Sequence, residues 1–329
     1  LNAGLADIRI GEISMVNQSP AGTTVAIIIL TYNQRAKTLQ CLERLHAVGA
    51  LAHHVLVWDN GSGDGTVEAV RAAFPRVLAH LHHANLGVGS GRNAAARLAM
   101  ESWQPSHLLF LDNDILIEPG FVEALLQPLL DDPQVGQAQA KLRFMYDPAR
   151  LNDGGGARIT FWLGRVRPVG YGEVDRGQYD QVAPCVSCGG AMLVRADLFQ
   201  QLGGFDKAFD PFGPEDLDFS LRLQRAGYRA LYVPQAVGLH EVSHTFESGG
   251  FSEKYARHKA RHWFVFLRRH ASPLQQAAFF LAGAPYLLAR VMLREGRKGN
   301  FGAVRGILRG LVDFWRIAVG PQGRRGGPS

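Results

Sequence analysis

A chain of 329 residues with 47% hydrophobic and 19% charged residues carries enough apolar material to bury a sizeable core, which excludes a disordered tail, a fibre or a charged linker. Three cysteines cannot build a disulfide framework, so the chain reads as one kept in a reducing compartment. The net charge of +6 is divided unevenly: residues 251–329 hold 15 Lys and Arg against 3 acids, whereas the first 250 residues carry a net −6.

The first twenty residues, with Asp7, Arg9 and Glu12, show no long apolar leader, and residues 1–21 read as an N-terminal extension. Val25 to Leu30 is a β-branched apolar run that ends in Thr31-Tyr32-Asn33, the pattern of a buried parallel strand entering a polar loop. Leu39, Leu42, Leu45 and Val48 then recur at helical spacing, and His54 to Trp58 predicts a second strand delivering Asp59-Asn60. A helix over Thr66–Phe74, a short strand over Val77–His82 and a helix over Gly91–Met100 follow, and the strand His107–Leu111 delivers Asp112-Asn113-Asp114. This alternation predicts an open α/β sheet, mostly parallel, with helices on both faces. Ligands of such sheets bind beyond the carboxyl ends of the strands, so the three polar loops should meet there. Residues 22–134 would form this half, and residues 135–250, richer in glycine and short strands, a mixed half for a second substrate.

From Phe251 onward, apolar helical stretches alternate with basic residues, giving a basic, amphipathic helical tail over 251–329. A membrane-spanning helix needs roughly 20 apolar residues. The longest uncharged stretch, Ala271–Ala289, contains Ser272, Pro273, Gln275, Gln276, Gly283 and Pro285, so these segments are expected to be too short to span and to lie at an interface or pack tightly. A basic apolar tail on an acidic body suits an anionic lipid or polyphosphate surface.

Asp112 and Asp114, one residue apart at a strand end, offer hard oxygens suited to Mn²⁺ or Mg²⁺ bridged to a diphosphate. Asn85-Leu-Gly87 through Gly91-Arg92-Asn93 provides glycines that let backbone approach a ligand, but it fits neither the dinucleotide fingerprint nor a phosphate loop with its lysine, which removes most support for hydride transfer and ATP hydrolysis. Glu215, Asp216 and Asp218 crowd one helix start behind Gly213-Pro214; Glu215 or Asp216, facing a pocket, can take a proton from a hydroxyl. His240 ends an apolar segment and suits a further Mn²⁺ ligand. Cys185-x-x-Cys188 lacks a second ligand pair for zinc and reads as core or pocket wall.

Taken in order, Leu30-Thr-Tyr-Asn33, Val57-Trp-Asp-Asn-Gly-Ser62, Asn85-Leu-Gly87, Gly91-Arg-Asn93, Leu111-Asp-Asn-Asp114, Gly190 to Arg195, Gly203-Gly-Phe-Asp206, Glu215-Asp-Leu-Asp218, Gly227-Tyr228 and His240 resemble glycosyltransferase family 2 over about residues 22–245, and the tail is similar to that of rhamnosyltransferase-like members. The resemblance implies a GT-A fold, a nucleotide-diphosphate sugar donor, a divalent cation (Mn²⁺ or Mg²⁺) and inversion at the anomeric carbon. On the donor side it implies nucleotide-sugar binding by Thr31, Tyr32, Asn33, Asp59, Asn60, Gly87, Arg92, Asn93, Asp112 and Asn113. Asp112, Asp114 and His240 would hold the metal, Asp216 would be the base, and Glu215 and Gly190 would lie on the acceptor side. Many members have two aspartates where Asp59-Asn60 stands here; an amide oxygen still accepts from the N3–H of a pyrimidine, so a UDP- or dTDP-sugar fits. The acceptor implied is a glycan or polyprenyl-linked saccharide, met at the cytoplasmic face of a membrane by a peripheral enzyme of cell-surface polysaccharide synthesis.

Rival readings are a sugar nucleotidyltransferase, which would carry a basic glycine-rich loop where Thr31-Tyr32-Asn33 stands, a catalytically silent carbohydrate-binding scaffold, and a nucleic-acid binder using the tail. No nucleic-acid reading module accompanies the tail's charge, so nucleic acid is not expected as a partner.

Overall fold

A computed structural model describes residues 22–187, 189–242 and 252–319; the N-terminal extension and Cys188 lie outside them. The chain begins with β1 (Val25–Thr31), α1 (Arg35–Ala47), β2 (His54–Asp59), α2 (Thr66–Ala73), β3 (Leu78–Leu81), α3 (Val88–Trp103) and β4 (His107–Asp112). These strands lie side by side and parallel, in the order β4-β1-β2-β3. The run Val-Ala-Ile-Ile-Ile suits the centre of such a sheet because every position is covered. Ile27 and Ile29 pack on one face with Leu42, Leu45, Val57 and Val70, and Ala26 and Ile28 on the other with Leu56, Ala95, Ala99 and Phe110. The small side chains of Ala95, Ala96 and Ala99, all fully buried, bring α3 close against that second face.

The second half adds antiparallel strands. After β5 (Ile115–Ile117) and α4 (Phe121–Asp131) come β6 (Val135–Phe144), β7 (Leu151–Asp153), the hairpin β8 (Ala157–Thr160) and β9 (Arg165–Pro168), then β10 (Ala183–Pro184), β11 (Ala191–Arg195), α5 (Ala196–Gln201), α6 (Glu215–Arg225) and β12 (Arg229–His240). β11 runs antiparallel between β4 and β6, and β6 and β12 are parallel to each other, extending one continuous sheet in the order β10-β12-β6-β11-β4-β1-β2-β3. The sheet is therefore the mostly parallel, helix-flanked GT-A arrangement expected, with a mixed second half.

Four helical elements form the tail: α7 (Glu253–His270), α8 (Pro273–Ala278), α9 (Ala284–Gly296) and α10 (Phe301–Val319). One expectation is overturned. α8 and α9 are joined by a π-helical turn, Phe279–Gly283, into one continuous helix of 24 residues, Pro273–Gly296, long and apolar enough by composition to cross a membrane. Pro285 lies inside this continuous helix directly after the π turn, where the i→i−4 ladder is already interrupted and no N–H bond of that kind is lost. α10 packs close on α7: a Cβ on Gly306 or Gly310 would run into the α7 backbone at Glu253 or Arg257.

Candidate active site

Register brings the polar loops together. Thr31 is paired with Asp59 and Leu30 with Asp112, so the ends of β1, β2 and β4 meet at the carboxyl edge, with Thr31 and Asp59 on one face of the sheet and Asp112 on the other. Asn33 takes a left-handed φ of 51°, donates its N–H to Ser62 Oγ at 2.7 Å and accepts from Gly63 N at 3.0 Å, which ties the β1 loop to the β2 loop. Thr31 Oγ1 lies 2.8 Å from Thr38 Oγ1, and Asn113 donates to both threonines, so the Asp-Asn-Asp turn is pinned by its middle residue while its two aspartates flank it. Asp59 is buried; one carboxylate oxygen accepts from Ser62 N at 2.7 Å, and the other has no partner among the described residues. A buried acceptor without a donor is costly. Tyr32 stands half-exposed beside Thr31.

Asp112, Asp114 and His240 place their ligand atoms within 4.8 Å of one another. His240 reaches them because β12 runs antiparallel to β5, pairing His240 with Ile115. Its Nδ1 lies 2.9 Å from Asn152 Oδ1 and its Nε2 3.3 Å from Asp114. With Nδ1–H donating to the asparagine, Nε2 presents its lone pair to the two carboxylates, the orientation a metal ligand needs. Burial disfavours the imidazolium, but Asp114 and Asp112 outweigh it and His240 titrates above its ordinary range. Two carboxylates and one oriented imidazole form a donor set that fits Mn²⁺ and, less selectively, Mg²⁺. Asn152 was not legible in the sequence: it lies 88 residues from His240 and carries no motif.

Asp112 is held from behind. Arg92, buried in the second turn of α3, donates to Asp112 at 2.5 Å and to Glu215 at 3.3 Å. Burial works against the guanidinium charge, yet the two carboxylates hold its pKa above the ordinary arginine value, so it stays ionised. Gly190 allows the approach on the other side: a Cβ there would sit 2.6 Å from Asp112 Oδ2, and its carbonyl accepts Asp112 N–H at 2.6 Å. Asp216, next in chain to Glu215, accepts from Gly189 N at 2.5 Å and Leu217 N at 2.7 Å. Burial raises the Asp216 pKa, against the two N–H bonds and Arg92, and burial together with Asp216 raises that of Glu215. A carboxylate made more basic beside a cation-binding edge is suited to accepting a proton.

Several expected residues have other tasks. Glu215 does not face outward toward a second substrate; it is buried, with Arg92 on one oxygen and Gly213 N–H on the other. Asn93 holds Phe205, donating to its carbonyl at 2.7 Å and accepting its N–H at 2.8 Å. Asn60 spends its amide on the glycine turn, donating to Asn85 Oδ1 and Gly87 O at 3.0 Å and accepting Leu86 N–H at 3.2 Å, so the unpartnered acceptor near it belongs to Asp59. Gly87, at φ 88°, lets the turn pass Asp210, whose carboxylate would lie 2.6 Å from a Cβ there. Asp210 accepts from Ser90 N and Oγ, so the N-terminus of α3 is already capped by the protein's own anion. The start of α3 behind the glycine turn is thus packed on the protein's own carboxylate. Cys185 is buried in the wall of a cavity of about 740 Å³ lined also by Tyr179 and Tyr232.

Comparisons agree with this geometry. Residues 20–264 match the family described as glycosyltransferase like family 2. An N-acetylglucosaminyl-diphospho-decaprenol L-rhamnosyltransferase of Mycobacterium tuberculosis is 29% identical over 85% of this chain and 97% of its own. Among solved structures, a mannosyltransferase of Pyrobaculum calidifontis in complex with GDP-Man and Mn²⁺ is similar at TM-score 0.53 and 20% identity, covering 88% of this chain and 86% of that one. GalNAc-T7 with UDP, GalNAc and Mn²⁺ is similar at TM-score 0.55 and 14% identity, covering 74% of this chain and 50% of that one. A family match over most of the sequence, on a GT-A sheet whose strand ends converge on an Asp-x-Asp turn, makes this chain a glycosyltransferase of family 2.

Proposed function

We propose that the chain transfers a sugar, rhamnose being the first candidate, from a dTDP- or UDP-linked donor to a hydroxyl of a polyprenyl-linked saccharide, with inversion, at the cytoplasmic face of a membrane. The observation that carries this reading is the meeting of Asp112, Asp114 and His240 within 4.8 Å beside the raised carboxylate of Asp216. The similarity to a rhamnosyltransferase whose acceptor is a diphospho-decaprenol saccharide supports the choice of donor sugar and acceptor.

Each residue then has a task. The buried Asp59 oxygen that has no partner among the described residues is assigned to a pyrimidine N3–H, and the exposed Tyr32 ring to the face of the base. Arg92 and Gly190 keep Asp112 in place, and Asn152 keeps the His240 lone pair turned inward. A divalent cation held by Asp112, Asp114 and His240 would supply Lewis-acid stabilisation of the departing diphosphate. Asp216 takes the proton of the acceptor hydroxyl as that oxygen bonds to the anomeric carbon and the bond from carbon to the diphosphate oxygen breaks, so one displacement inverts the centre. The Gly189 and Leu217 N–H groups fix the orientation of this carboxylate.

The test is transfer from dTDP-rhamnose and from UDP-sugars to a synthetic polyprenyl-diphospho-N-acetylglucosamine, with the product's anomeric configuration read by NMR. An inverted rhamnosyl product is expected. A retained configuration contradicts the single-displacement role of Asp216, and transfer only from another sugar nucleotide contradicts the choice of rhamnose.

A further inference from the structure

The apolar helix of the tail cannot be placed across a membrane by this fold, and that excludes one reading of its length. Gly306 lies against Glu253 and Ala256, Gly310 against Arg257 and Ala260, and Phe314 against Phe264, so α10 runs parallel to α7 along most of its length. The helix Pro273–Gly296 joins the end of α7 to the start of α10, and so runs back alongside both. α7 itself is seated on the catalytic body. His262 Nδ1 lies 2.7 Å from Phe212 O, Arg269 pairs with Asp206 at 2.7 Å and His270 with Asp218 at 2.8 Å. Both ends of the apolar helix are therefore tethered on the body's side, whereas a spanning helix needs its ends on opposite sides of a core about 30 Å thick.

The helix is two-faced in a way that water does not explain. Phe279, Gly283 and Leu287 dock on Trp162, Gly164 and Phe264. The opposite face carries Leu274, Ala277, Leu281, Pro285 and Met292 at helical spacing, with Leu274 80% and Leu281 82% exposed, and no charged residue occurs from Pro273 to Ala289. Phe301, Leu308 and Val312 of α10 are exposed as well. Exposed Arg290, Arg294, Arg297, Lys298 and Arg305 collect where this helix turns into α10, and half-exposed Trp162 and Tyr286 are the aromatic types that settle at headgroup level. A continuous apolar stripe with a cationic margin is complementary to an anionic lipid surface.

We infer that Pro273–Gly296 lies in the plane of an anionic bilayer as a monotopic strap, with Leu274, Leu281, Pro285 and Met292 sunk into the acyl boundary and the basic residues of the α9–α10 turn on lipid phosphates. This rests on the membrane placement proposed above and makes it specific: the strap fixes which side of the body faces the lipid.

The probe is a vesicle of 30% phosphatidylglycerol in phosphatidylcholine, against pure phosphatidylcholine, with the full chain. Wild type is expected to co-sediment with the anionic vesicles and at least tenfold less with the neutral ones. The triple variant Leu274→Glu, Leu281→Glu, Met292→Glu, whose sites are on the outer face, should lose binding at least tenfold with its circular dichroism and its metal-dependent nucleotide release unchanged. Quenching of Leu274→Trp, Leu281→Trp and Met292→Trp by doxyl-labelled lipids should report one shallow depth for all three. Graded depths with Leu281→Trp deepest would mean a spanning helix and overturn the inference. Vesicle binding that survives the triple variant would overturn it too, as would a wild-type dimer in sedimentation that the variant dissolves while neither binds vesicles. Nucleotide release is read separately in every arm, so failure of the strap and failure of the transferase reading are distinguishable.

Discussion

Asp216 carries a cost that the catalytic role explains. Its pKa is raised mainly by burial, so the folded state holds its proton at a pH where the unfolded chain has lost it. Folded protein then binds more protons than unfolded, and stability falls as pH rises from the ordinary aspartate range through the raised value. Asp216→Asn should therefore melt higher than wild type at pH 8, with the gap closing below the ordinary carboxylate range, while turnover falls by roughly 10²-fold or more, as expected for loss of a general base. Thermal melts across pH with parallel turnover check both signs, and a variant that melts lower at pH 8 contradicts the account of its burial. Asn152→Leu tests the ligand geometry. It removes the acceptor of His240 Nδ1–H, and loss of such an outer partner typically weakens metal binding about 10–100-fold. Titration of Mn²⁺ by electron paramagnetic resonance measures that without any substrate.

At the scale of elements, the site is a product of register and of one close approach. The β-branched runs, the Asp-x-Asp turn and the strand–helix alternation were legible because each is a local pattern, and pairing of β1 with both β2 and β4 then brings Thr31, Asp59 and Asp112 to one edge of the sheet, Thr31 and Asp59 on one face and Asp112 on the other. What was not legible depends on partners far apart in sequence. Asn93 and Asn60 carry the same amide as any ligand-binding asparagine, and only the fold shows that Phe205 and the 85–87 turn consume it. Asp210 caps α3 from 120 residues away, and Pro285 is harmless only because a π turn precedes it. Gly190 belongs to this scale as well. Gly190→Ala puts a methyl 2.6 Å from Asp112 Oδ2 and from Ile115 Cδ1, so the Asp112 carboxylate must move aside. We expect Mn²⁺ affinity and turnover to fall together while the melting temperature changes little, and a fully active Gly190→Ala would show that Asp112 tolerates displacement.

Across the whole molecule, body and tail differ in charge but share a buried joint. Asp218, two residues after Asp216 in α6, is fully buried and bonded to His270 and Arg222 at 2.8 Å each. Burial raises its pKa, but these partners and Arg269 outweigh it and the net value is lowered, so Asp218 stabilises the fold above the ordinary carboxylate range and loses that contribution as pH falls through its lowered value. α7 also covers Phe209 and Leu217 with Phe266. Ending the chain at Gly250 would strip the cover and leave Asp218 with Arg222 but without His270 and Arg269, exposing apolar surface and removing hydrogen bonds to a buried carboxylate. A truncated chain should therefore melt far lower or aggregate, and equal melting temperatures would show that the tail is an appendage. The transferase reading itself rests on the cation edge at Asp112, Asp114 and His240. Its most direct test is nucleoside diphosphate release from UDP-, dTDP- and GDP-sugars, with Mn²⁺ or with chelator, for wild type and Asp114→Ala. The account predicts release from a uridine or thymidine donor that needs the cation and falls roughly 10²- to 10³-fold in the variant; equal release with chelator, or an Asp114→Ala protein as fast as wild type, would contradict it.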